Sequence, residues 1–156
     1  MAVGVVFWPC LLLGILCGLR ALTPPAVVCW AAHLGWLNLT GTHLAFLANP
    51  ITVGIFTLLA LVELIGDKTA KIGPRTAPVG FGARLISGAL CGAALASPGG
   101  LAIGAIVAVV GAIVGTLAGY HIRRALTAPG KLPDLPVALV EDLITIGGSL
   151  FLVSRF

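Results

Sequence analysis

From Gly100 to Ile122 the chain runs without a single Asp, Glu, Lys or Arg. About 20 apolar residues is the length an α-helix needs to cross the ~30 Å hydrocarbon core of a bilayer. Lipid offers no partner for backbone N–H and C=O groups, so a spanning segment must satisfy them internally. This one stretch therefore points to an all-α integral membrane protein. The composition agrees: of 156 residues, 59% are hydrophobic and 9% charged, with mean hydropathy +1.14. Soluble domains carry about 25% charged residues, and a chain this short could not hide so much apolar surface in one core. A single transmembrane domain over residues 1–156 is expected.

Five further apolar segments flank the first. They run from about Val3 to Leu22, from Pro24-Pro25 to Leu39, from Asn49-Pro50 to Gly66, from Gly82 to Ala96, and from Pro136 to Val153. Asn49 is suited to cap a helix and Pro50 to occupy its first turn. The second and fourth segments are short for a full span. The first lacks a charged leader region and is read as a retained helix.

Six spans place the charges asymmetrically. Of nine Lys and Arg residues, eight fall on one face and only Arg155 on the other. Basic loops stay cytoplasmic. The expectation is a multi-pass protein of the cell inner (plasma) membrane with both termini outside. With its charges so placed, nothing suggests nucleic acid as a partner.

An internal similarity accompanies this pattern. Gly14-Ile-Leu-Cys-Gly-Leu-Arg-Ala-Leu-Thr-Pro24 matches Gly88-Ala-Leu-Cys-Gly-Ala-Ala-Leu-Ala-Ser-Pro98 at five of eleven positions. The offset relates segments one to three to segments four to six. Three spans is an odd number, so the halves would form a 3+3 inverted repeat, an arrangement common in transporters. Small residues also recur at helical spacing: Gly14 and Gly18, Gly88 and Gly92, and Gly104, Ala108, Gly111, Gly115 and Gly119. Such faces let helices approach closely, within one chain or between two copies as a homodimer. Cys10, Cys17, Cys29 and Cys91 lie in apolar segments without metal-site spacing and read as small hydrophobes. Trp8, Trp30 and Trp36 suit interfacial anchoring.

Ionisable residues inside membrane segments are costly, so their placement carries information. Glu63 and Asp67 are four apart on one helical face, with Lys68 following. On the last segment Glu141, Thr145 and Ser149 form a stripe, while Asp142 points about 100° away. Arg20 ends the first segment, Arg84 opens the fourth and His121 ends the fifth. All lie at the same expected depth. Glu63, Asp67, Arg84, Glu141, Asp142, Arg20 and His121 are thus candidates for one substrate- or ion-binding cluster. The competing reading pairs Arg20 and Arg84 with Glu63 and Glu141 to pin helix ends. Lys68, Lys71, Arg75, Arg123 and Arg124 are candidates for anionic lipid headgroups, each contributing about 1 kcal/mol near the surface. His33 and His43 stand isolated. No nucleophile motif, phosphate loop or histidine–carboxylate metal motif is present, so no enzyme chemistry, cofactor or metal is assigned.

Several stretches resemble an uncharacterised bacterial membrane family, domain of unknown function 4126. They are Gly18-Leu-Arg-Ala-Leu-Thr-Pro-Pro, Glu63-Leu-Ile-Gly-Asp-Lys-Thr, Pro74-Arg75-Thr76, Arg84-Leu-Ile-Ser-Gly-Ala-Leu, Gly119-Tyr-His-Ile-Arg-Arg and Val140-Glu-Asp. The resemblance implies membrane placement and no particular activity. Related sequences tend to carry Pro soon after the Asp-Lys pair, where this chain has Ala70. Glu63 to Thr69 is also similar to the Glu-x-Gly-Asp-Lys/Arg-Ser/Thr motif of manganese and calcium exchangers of the cation–proton antiporter type. Here the motif has one extra residue, which turns Glu63 by about 100° relative to Asp67, and it occurs once. The expected function is a small transporter or channel-like protein for an ion or small solute. The alternative is a non-transporting protein that binds anionic lipid or a partner through its basic loops.

Overall fold

The computed structural model describes residues 3–69 and 77–156. Six α-helices follow in order: α1 Val3–Leu19, α2 Thr23–His33, α3 Pro50–Thr69, α4 Pro78–Leu95, α5 Leu101–Leu126 and α6 Asp134–Val153. A short 3₁₀ turn, Ala45–Ala48, precedes α3. Four helices, α3 to α6, are long and apolar enough to cross a membrane, and α1 is apolar but shorter. These are the helices of a membrane protein. Large apolar side chains face outward along them, including Val79 at 87%, Leu143 at 74% and Ile51 at 73% exposed. Water would not tolerate so continuous an apolar exterior; lipid does.

Proline and glycine set the boundaries. Pro50 opens α3, where the Asn49 side chain accepts the Ile51 N–H at 2.9 Å. Pro78 opens α4, four residues earlier than expected, and gives that helix 18 residues. It is therefore not short for a span. The second segment departs the other way. It was expected to reach Leu39, but α2 ends at His33. Gly35 takes φ +82, the Gly35 N–H meets Ala32 O at 3.3 Å and the Trp36 N–H meets Ala31 O at 2.8 Å. This is a glycine-terminated Schellman end, and it overrides the apolar run that continues to Leu39. At 1.5 Å per residue α2 is roughly 16 Å long, about half a bilayer core. The first helix likewise stops at Leu19 rather than Leu22.

Three helices form the packed heart. α1 and α4 both lie against α5, through the small-residue faces. A Cβ added at Gly14 would run into the Ala108 carbonyl, and one at Gly18 would meet Ala112 and Thr116 backbone. Gly92 and Gly104 face each other's carbonyls, and Gly115 faces Ile15. Position numbers rise together along α1 and α5 and oppositely along α4 and α5, so α1 is parallel to α5 and α4 antiparallel. The partners of these glycine faces are thus helices of the same chain. All four cysteines are buried and free. α2 and α3 form a hairpin beside this trio, tied by Trp30 Nε1 donating to Thr57 Oγ1 at 3.0 Å and by His33 Nδ1 at 2.9 Å from Ala48 O. α6 packs against α1 and α2.

Candidate functional site: a charged network at one end of the bundle

These helix directions bring the ends of α1, α3 and α5 and the first turns of α6 to the same level. Arg20 follows α1 directly. Its neighbours on the buried face, Leu13, Leu16 and Cys17, precede it at three- and four-residue spacing, so the packing phase of α1 carries the guanidinium inward. Arg20 is only 2% exposed. Its Nη2 lies 2.9 Å from Asp67 Oδ2 on α3 and 2.5 Å from Asp142 Oδ1 on α6. Lys68 Nζ meets the other Asp142 oxygen at 2.5 Å and also donates to Leu64 O. Arg123, in the last turn of α5, donates Nη1 to Asp67 Oδ2 at 2.8 Å and to Glu141 Oε2 at 3.3 Å. It also grips Asp134 with two parallel bonds, Nε to Oδ1 at 2.9 Å and Nη2 to Oδ2 at 2.8 Å. Bidentate guanidinium–carboxylate pairs are the stronger kind.

Asp67 is the hub, facing both arginines. Glu141 and Asp142 are 9% and 6% exposed and reach into the network from different sides of α6, Glu141 toward Arg123 and Asp142 toward Arg20 and Lys68. Their angular offset along the helix allows this division. Behind Glu141, Thr145 and Ser149 are fully buried, with Thr145 Oγ1 donating to Glu141 O at 2.8 Å. Arg20 Nε and Nη2, Asp142 Oδ1 and Ser149 Oγ are buried without hydrogen-bond partners among the described residues, so Arg20 Nη2 and Asp142 Oδ1 hold each other by charge rather than by an aligned bond.

Glu63 is placed differently from Asp67. Its carboxylate accepts the backbone N–H of Ala21 at 2.7 Å and of Leu22 at 2.9 Å, at the start of α2. Glu63 and Asp67, the two acids of the exchanger-like stretch, are thus divided between backbone amides and guanidiniums. Among the described residues no group of three or more His, Cys, Asp or Glu is arranged to hold a metal ion.

Of the expected cluster, the structure brings together Arg20, Asp67, Glu141 and Asp142, with Glu63 one turn away on α3. Arg84 donates to Gly80 O within its own helix at 3.1 Å. His121 is exposed, edge-on to Tyr120 with ring centres 5.3 Å apart. Lys68 and Arg123, assigned from sequence to lipid headgroups, face inward instead. The sequence did carry the sign for Arg123. It continues the four-residue series Gly111, Gly115, Gly119 and so lies on the packing face of α5. Arg124, about 100° away, is exposed. Lys71 and Arg75 lie outside the described residues.

A family model for a domain of unknown function, DUF4126, matches residues 10–154. The chain belongs to that family. No curated protein and no solved structure matches it. The matched span of this DUF4126 chain contains every member of the network, from Arg20 to Asp142.

Proposed function

We propose that this protein is a small transporter, or channel-like protein, for an ion or small solute, and that the network closes one end of its pathway. The supporting observation is the buried join between Arg20, Asp67, Arg123, Glu141, Asp142 and Lys68, drawn from four helices. Removing charges from water costs several kcal/mol per ion, and small-residue packing of the kind used along α5 would hold helices without that cost. Ionisable groups retained at membrane depth mark ion paths and relays. An ion-paired closure differs from an apolar one in that a competing ion or a proton can open it. In this reading all six helices cross, with α2 completing its crossing through the turn that follows it. The charged end is cytoplasmic by the basic-loop rule, both termini are outside, and the membrane is the cell's inner membrane. The similarity of Gly14–Pro24 to Gly88–Pro98 would then reflect a 3+3 inverted repeat. The opposite directions in which α1 and α4 run along α5 support this, while the unequal lengths of α2 and α5 depart from it.

The test is flux in proteoliposomes with a panel of monovalent and divalent cations and an internal pH dye. Wild type is expected to carry flux, and Asp142→Asn, which takes a carboxylate out of the closure, to raise it severalfold while remaining folded. No flux from folded wild type across the panel and a set of organic solutes would overturn the proposal. That result would favour the second reading, binding of anionic lipid or a partner at the basic end. The geometry favours it less, because Lys68 and Arg123 are consumed by carboxylates rather than presented outward.

A further inference from the structure

We infer that Glu63 is a positioning residue for the network, holding the backbone that aims Arg20 rather than binding a transported ion. On the transport reading above, this makes the contact between α3 and the α1–α2 break a control point for closure.

The break is short. α1 makes its last helical bond from the Arg20 N–H to Leu16 O at 2.9 Å, and α2 begins at Thr23 with Pro24 and Pro25 in its first turn. Neither proline has an N–H, so α1 cannot continue as helix through this point. The N–H groups of Ala21 and Leu22 are therefore left without intrahelical acceptors, that of Ala21 in a buried residue. A buried amide without a partner is costly, and Glu63 supplies the partner for both. Each carboxylate oxygen is engaged by one amide. A cation at Glu63 would have to compete with two N–H dipoles for the same oxygens.

The consequence lies one residue away. With Ala21 and Leu22 fixed, the Cα of Arg20 is fixed, and with it the reach of its guanidinium. Asp67 lies one turn beyond Glu63 on the same face of α3 and takes that guanidinium directly. α3 thus grips three consecutive residues at two points, by backbone through Glu63 and by side chain through Asp67. Arg20 then extends to Asp142 on α6. Loss of the backbone grip should release Arg20 from Asp142, although Glu63 holds the backbone N–H groups of Ala21 and Leu22 and not either of those side chains.

The pair can be read without any transport. Arginine labelled with ¹⁵N in lipid nanodiscs gives guanidinium signals, and that of Arg20 is identified by its loss in Arg20→Lys. Held between two carboxylates, Arg20 is expected to show resolved, slowly exchanging Nη signals in wild type, unlike exposed Arg124. Glu63→Ala should collapse them to the exchange-averaged position. Thr57→Val, which removes another α2–α3 contact, should leave them in place. An unchanged Arg20 signal in Glu63→Ala overturns the inference, as does equal loss in Thr57→Val, which would mean general loosening of the hairpin. Should Glu63→Ala not fold, Glu63→Gln keeps the side-chain length with one acceptor. A broadened Arg20 signal is then expected, and an unchanged one overturns the inference. Flux plays no part in these outcomes, so their failure is separate from failure of the transport proposal.

Discussion

The α1–α4–α5 trio and the α2, α3 and α6 helices beside it solve the same problem by different means. In lipid, apolar side chains gain little by leaving one apolar surface for another, so helices must be held by close packing or by polar contact. The trio uses close packing. Its glycines bring backbone against backbone at Gly14, Gly92, Gly104 and Gly115. The outer helices use polar contacts, concentrated at one end: Glu63 on backbone amides, and Asp67, Lys68 and Asp142 in the ion pairs. Two of their glycines, Gly54 on α3 and Gly147 on α6, have open space where a Cβ would be, and Gly148 on α6 meets only the flexible end of the Leu16 side chain, not backbone. Backbone set against backbone leaves the first kind of joint little room to shift, whereas ion pairs can exchange partners. On the transport reading, the trio would be the fixed part and the outer helices the part that moves.

The largest blow to this contrast should come from the fixed part. Gly115→Leu puts a branched side chain onto the Ile15 backbone, which cannot give way. No monodisperse protein is expected by size exclusion in mild detergent. If it folds normally, the seam is not the framework. Next, Arg20→Met leaves Asp67 and Asp142 buried without their shared cation. Breaking a buried pair from one side typically costs about 3–5 kcal/mol, which thermal unfolding in detergent would register. A coupling of about 1–3 kcal/mol between Arg20→Met and Asp142→Asn, measured through the double variant, would sharpen the point that they act together. Gly35→Ala strains a left-handed helix end and should cost about 1 kcal/mol. Gly54→Ala is the smallest change. It meets nothing and should raise stability by about 0.5–1 kcal/mol through helix propensity, opposite in sign to the same change at Gly14, Gly92, Gly104 or Gly115.

Much of this was legible in the residues. Hydropathy alone identifies six helical segments, because backbone satisfaction in lipid leaves no other choice. Asn49-Pro50 correctly opens a helix. The glycine series on α5 foretells a close seam, although spacing cannot say that its partners are α1 and α4. What the sequence hid was of two kinds. The end of α2 was masked by Leu37 and Leu39, which pack into the core outside the helix; Gly35 was the sign to weigh. The roles within the charged group depend on helix rotation and neighbours. Lys68 and Arg123 read as surface cations because they adjoin loops, yet their helical phase turns them inward. Glu63 reads as an intramembrane acid seeking a cation, and only the neighbouring break at Ala21 and Leu22 explains its position.

The division into a fixed trio and a charge-held remainder is tested most directly by paired distances between nitroxide spin labels. One pair, at Leu126 on α5 and Leu139 on α6, spans the charged end; the other, at Leu12 on α1 and Val110 on α5, lies within the trio. All four positions are exposed. In Asp142→Asn the first distance is predicted to lengthen and broaden while the second keeps its wild-type position and width. Movement of both pairs, or of neither, would contradict the account.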